Sequence, residues 1–201
     1  MTPNRYSGGE EGNTVVSWFC EVDGMEGCGT EDHHFQVLPL VNPNEYVPTV
    51  EDINKRIKIQ ITPVRADGVE GPTYQHILDA LRCPQRVQDD VGRCVRQMQS
   101  KGGNFVLGQV DEQALHLPAV PKRVAVADGA LKIKNVATDK TEFKVKLEPG
   151  CMRATARPDV PNMLTLTFFA TRSNPTPRTF AMLAEDVRSR DVVVLVMRSL
   201  A

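Results

Sequence analysis

Five cysteines and four histidines are the residues best equipped for chemistry in this 201-residue chain. Cys20, Cys28, Cys83, Cys94 and Cys151 are scattered, odd in number and form no Cys-x-x-Cys pair. That usage suits reduced, half-buried thiols rather than a disulfide framework. A zinc site built from Cys20, Cys28, His33 and His34 is the sharper reading. Its spacing fits no familiar finger, and adjacent histidines on an extended chain point to opposite faces. His76 and His116 sit on strand or loop segments without a convincing carboxylate partner. No Ser/His/Asp or Cys/His arrangement with a plausible frame is present, and no metal-binding helix motif. The expectation is a non-enzymatic protein with no metal and no cofactor.

Two other patterns have a chemistry of their own. Residues 7–12 read Ser-Gly-Gly-Glu-Glu-Gly, a glycine-rich run that could cradle phosphate. It carries Glu10 and Glu11 and leads into a strand, whereas phosphate loops open a helix, so a turn between strands is expected. Lys132 and Lys134 alternate with Leu131 and Ile133, and Lys144 and Lys146 alternate with Phe143, Val145 and Leu147. Period two puts all four lysines on one face of a hairpin, with Lys140 at its tip. Such a face is either a solvated surface that discourages edge-to-edge aggregation or a docking patch for an acidic partner. Each exposed pair would contribute about 1 kcal/mol or less, and salt would weaken it.

The elements that must hold these residues are short. Fourteen Gly and fourteen Pro with few aromatics favour many strands over long helices. A net charge of −1 argues against a general nucleic-acid binder, and the basic residues lack interleaved aromatics for base stacking. No apolar run approaches the ~18 residues of a membrane span, and the polar N-terminus lacks a signal-peptide core. A cytoplasmic protein is expected.

In chain order, residues 14–21 alternate around Val16, Trp18 and Cys20, and residues 35–41 are extended. Residues 46–53 read as an edge strand ending in a tight turn, with Thr49 as an N-cap and Asp52 near the exposed N–H groups. Residues 56–64 form the next strand. Asp67-Gly68 then sits between two alternating runs, the second holding Tyr74, His76 and Leu78, which is the strongest short-range hairpin signal in the chain. Short antiparallel strands around a lone Trp suggest an immunoglobulin-like sandwich. Its usual inter-sheet disulfide, whose loss typically costs ~2–5 kcal/mol, has no cysteine to form it, so apolar packing must substitute.

Residues 85–99 form the clearest helix, with Val87, Val91, Cys94, Val95 and Met98 on one face, Pro84 at its start and Gly102-Gly103 past its end. Short strands resume at 105–110, 114–117, 123–127, 131–136, 142–147, 152–156, 164–169 and 180–183. Residues 185–201 fit either a buried strand or a helix on periodicity alone.

Four motifs occur in order: Gly-Gly-Glu-Glu-Gly; Ser17-Trp18-Phe19; Tyr46-Val-Pro-Thr-Val-Glu-Asp-Ile; and Ile61-Thr-Pro-Val-Arg-Ala-Asp-Gly-Val-Glu-Gly-Pro. This succession resembles the immunoglobulin-like repeats of the Air-nine family (auxin-induced in root cultures, member nine), which are microtubule-associated proteins. The closing run from Arg190 to Ala201 is similar to the final helix of the pleckstrin-homology-like barrel with which that family ends. The resemblance implies a mainly β chain: an immunoglobulin-like repeat at 1–82 short of its first strands, a connector helix at 83–103, and a pleckstrin-homology-like β-barrel at 104–201 capped by a C-terminal helix. It implies an adaptor of the cytoplasm and cytoskeleton, with protein partners such as tubulin, microtubules or microtubule-associated proteins. The partner-binding residues would be Lys132, Lys134, Lys140, Lys144 and Lys146. The alternative is a peripheral membrane adaptor meeting anionic lipid through the same lysines. Against inositol phosphates, the first hairpin of the second module carries Asp111 and Glu112 and no basic residue.

Overall fold

A computed structural model describes residues 10, 12–22, 35–38, 44–114, 116–171 and 175–201. Among the described residues the chain is mainly β, with two antiparallel sheets and two α-helices, and it divides into two compact units. The first takes residues up to 48 and 52–82. The second takes Thr49–Glu51 and Cys83–Ala201.

The first unit holds a four-stranded antiparallel sheet in the order β2-β1-β3-β4, from β1 (Val15–Glu21), β2 (Phe35–Val37), β3 (Ile57–Thr62) and β4 (Tyr74–Leu78). Alternation sets its register. Cys20 opposes Ile57, Trp18 opposes Ile59 and Val16 opposes Ile61, so the apolar residues of both strands share a face. Trp18 is half-buried, 5.6 Å from the Tyr46 ring. The Asp-Gly turn forms as expected. The Gly68 N–H donates to the Arg65 carbonyl and the Arg65 N–H to that of Val69, with Gly68 at φ +83°. That is a type I turn closed by a left-handed glycine, a conformation that suits a glycine and strains other residues. Gly12 pairs with this hairpin through Val64, and a Cβ there would lie 2.5 Å from the Arg65 carbonyl oxygen.

The opposite face of this sheet departs from simple alternation. Lys58, expected on the polar side, is 6% exposed, its ammonium 4.7 Å from the Phe19 ring and 5.1 Å from that of Phe35. Two aromatic faces replace part of its hydration. The edge strand expected within residues 46–53 is not formed. Pro48 lacks an N–H to donate to a ladder, and the Thr49 hydroxyl accepts the Glu51 N–H at 3.1 Å, opening a short 3-10 turn, Val50–Asp52. The capping role read for Thr49 is present in that turn.

The second unit is built on a seven-stranded antiparallel sheet. Its strands are β5 (Gly103–Val110), β6 (Val120–Ala127), β7 (Ala130–Asn135), β8 (Thr141–Lys146), β9 (Met152–Ala156), β10 (Met163–Phe168) and β11 (Arg178–Leu183). Their order is β8-β7-β6-β5-β11-β10-β9. The expected closed barrel is not formed, because β8 and β9 end the order and do not pair with each other. The sheet nevertheless curls. Phe143 of β8 lies 4.7 Å from Phe168 of β10 and 5.3 Å from Phe180 of β11, so side chains bridge where hydrogen bonds do not. Of the strand expected at 114–117, residues 114, 116 and 117 form no strand. Asp111 accepts the Gln113 N–H on its side chain and the Ala114 N–H on its carbonyl.

Two helices complete this unit. α1 (Gln85–Lys101) buries Val87 and Met98 and ends at Gly102, φ +73°. It packs on α2 and on β5 and β6. α2 (Val187–Leu200) resolves the ambiguous C-terminal segment as a helix. Asp186 caps it, accepting the Ser189 N–H at 2.6 Å, and Val192, Val193, Val194, Val196 and Met197 are buried beneath it. Arg190 is also buried, its guanidinium donating to Asp191 and to the Pro161 carbonyl.

Candidate functional site

The β7–β8 hairpin presents the five lysines. Its inner residues Leu131, Ile133, Phe143 and Val145 are buried, which turns the intervening lysines outward. Lys132 and Lys144 lie directly opposite one another in the register. Like charges in that position repel, and no ion pair is found for either among the described residues.

The other lysines are in different circumstances. Lys134 is 3.1 Å from Asp139, whose other oxygen takes Arg123 at 2.8 Å. Asp139 gets there through its left-handed backbone, φ 51°, in a loop whose Ala137 and Thr138 N–H groups donate to the Asn135 side chain. Lys146 reaches Glu148 at 3.4 Å, both exposed. Lys140 is exposed at the hairpin tip. Arg123, opposite Lys134 on β6, extends the basic face and was not anticipated from the sequence. Its odd-even place beside Val124 and Val126 was the available signal.

A fold irregularity separates this face from an internal ion pair. The ladder shifts between Ile133 and Lys134, so Lys134 opposes Thr141 rather than Glu142. Glu142 is thereby free to reach Lys122, which lies on the inner side of β6 and is 6% exposed. The Lys122 ammonium donates to both carboxylate oxygens, at 2.7 and 2.5 Å. That bond holds Glu142 below the usual carboxylate range, with Asn135 and Lys140 adding to the effect.

Beside Lys122 an open cleft of about 630 Å3 is lined by Asp111, Glu112, Gln113, Thr179 and Phe180 among others. Two carboxylates at its rim suit neither phosphate nor an anionic headgroup. Cys83, on the approach to α1, has its thiol pushed up by burial and by the nearby Asp191 charge, which disfavours the reactive thiolate. Of the zinc candidates, Cys28, His33 and His34 lie outside the described residues. Cys20 is buried, its Sγ 3.6 Å from Asp52. Cys20, Cys83, Cys94 and Cys151 are free thiols, and no cluster of three or more metal-ligating side chains occurs among the described residues. No helix there is long and apolar enough to cross a membrane.

Comparison with known proteins shows what this chain is similar to. Residues 2–78 match the AIR9 A9 domain. A relative, the 187-kDa microtubule-associated protein AIR9 of Arabidopsis thaliana, is 26% identical over 208 aligned positions covering 98% of this chain. The chain spans about 11% of the length of that relative. Three of the four motifs that carry the AIR9 resemblance coincide with structural pivots here; the glycine-rich run expected to be a turn lies largely outside the described residues. Trp18 and Phe19 supply one residue to each face of β1, the 46–53 motif makes the Thr49 turn, and the 61–72 motif makes the Asp67-Gly68 hairpin.

Proposed function

We propose that this chain is a non-enzymatic protein-interaction module of a microtubule-associated assembly, with the outward lysine face of its second unit docking an acidic protein surface. In this reading residues 1–82 act as an immunoglobulin-like repeat, 83–103 as a helix, and 104–201 as a pleckstrin-homology-like domain, and the chain works in the cytoplasm on the cytoskeleton. The AIR9 relative supports the setting. The observation that carries the surface is the unscreened juxtaposition of Lys132 and Lys144. Two ammonium groups facing one another across a ladder cost stability, and a carboxylate-rich partner would remove that cost.

Microtubule co-sedimentation across a salt series tests it. The intact chain is expected to pellet at low salt and to be released as salt rises. Changing Lys132 and Lys144 together to Glu should weaken pelleting roughly tenfold, from about two exposed pairs. Lys134→Gln should change it little, because that lysine is already committed to Asp139. No pelleting by the intact chain at low salt rejects direct tubulin contact. Pelleting that the double variant retains rejects the lysine face.

A further inference from the structure

The strand β9 closes one end of the seven-stranded sheet, so among the described residues its outward backbone groups have no neighbouring strand. Two of them are nevertheless bonded. The Ala154 carbonyl accepts from Nε of Arg198, on the last turn of α2, at 2.9 Å. The Ala156 N–H donates to Oε1 of Glu51 at 2.9 Å. The same carboxylate oxygen pairs with the Arg198 guanidinium. Carbonyl i and N–H i+2 of one strand are the groups that a single residue of a parallel neighbour would engage, one as donor and one as acceptor. Arg198 and Glu51 together therefore stand in for one residue of an added strand.

The segment that supplies the acceptor is short and of defined chemistry. Thr49–Glu51 belongs to the second unit, Val50 is buried at 5% exposure, and Glu51 is bound by a cation and a backbone N–H at once. A carboxylate is thus what this end of the sheet holds, and the residue before it in the chain is a buried aliphatic. The contact is not a ladder, since residues 49–51 form a turn rather than a strand. Among the described residues it engages the two backbone groups noted above and no continuous ladder. A free strand edge recognises an extended peptide through its main chain and selects it by side-chain chemistry.

We infer that the β9 edge, with Arg198 of α2, is a docking site for an extended acidic peptide bearing an aliphatic residue followed by Glu or Asp, and that Thr49–Glu51 is its built-in occupant. An intramolecular occupant competes at an effective concentration of the order of millimolar, so the site is masked in the resting chain. Releasing residues 49–51 opens it. This site is remote in sequence from the lysine hairpin and does not depend on it.

The test uses the full chain and a labelled synthetic peptide of residues 46–54, followed by fluorescence anisotropy. Glu51→Lys sets a second cation against Arg198 and should expel the segment. The peptide is expected to bind this variant at least about tenfold more tightly than the unaltered chain. Adding Arg198→Ala, or replacing the peptide's own Glu by Lys, should abolish that gain. Circular dichroism and thermal melting establish that each variant is folded, and Glu51→Ala carries the same expectations should Glu51→Lys fail to fold. Equal binding to variant and unaltered chain, no binding to a folded variant, or binding that survives Arg198→Ala each overturns the proposal.

Discussion

Lys122 keeps its ammonium inside the sheet while Glu142 is ionised, and acid removes that condition. The folded-state pKa of Glu142 is lowered, so its contribution to stability is fully present above the unfolded value. It is lost as pH falls through the folded one. Glu142→Gln is expected to destabilise the chain by about 1–3 kcal/mol at neutral pH, through a nearly buried ammonium left without its counter-ion. In urea titrations the two proteins should converge once pH falls below the lowered folded-state pKa of Glu142; a gap that persists at the acid end would show that shape, not charge, is responsible. At this scale the sequence was informative about alternation and silent about partners. Lys132 and Lys144 fall where period two puts them. Lys58 obeys the same period, yet it is buried because Phe19 and Phe35 arrive from two other strands. Glu142 finds Lys122 only because the ladder slips by a residue. Neither event leaves a local trace.

Elements were legible where their cause was local. The Asp67-Gly68 hairpin, the amphipathic stripe of α1 and its Gly102 terminus are each set by residues within a few positions. The segments misread as strands, one within 46–53 and the other at 114 and 116–117, failed for equally local reasons that compete with propensity. A proline lacks its donor in one, and an Asp side chain captures a backbone N–H in the other. The C-terminal helix was undecidable from its own residues and was resolved by family likeness. The curl of the seven-stranded sheet was not legible, since it rests on Phe143 meeting Phe168 and Phe180 from strands distant in the ladder. Phe143→Ala should therefore cost about 3–5 kcal/mol, and amide exchange should rise in β8 and β10 together. Protection lost in β8 alone would mean the rings do not hold the curl. In the other unit, Gly12→Ala should destabilise by about 1–3 kcal/mol, because its Cβ meets a backbone carbonyl that cannot yield cheaply. Unchanged melting would show that residues 10–12 shift without loss.

The path of the chain through its two units is not sequential. It enters the second unit at Thr49, leaves after Glu51, and returns at Cys83. A reader of the sequence would divide the molecule once, near residue 82, and recombinant fragments would be cut there. Such a cut takes from the second unit the carboxylate that satisfies the Ala156 N–H at the β9 edge. An uncovered strand edge is a template for another copy. The fragment 83–201 should therefore self-associate with rising concentration in sedimentation velocity, whereas a fragment beginning at residue 44 should not. Handled as separate pieces, the molecule would acquire an oligomeric habit belonging to the scissors rather than to the protein.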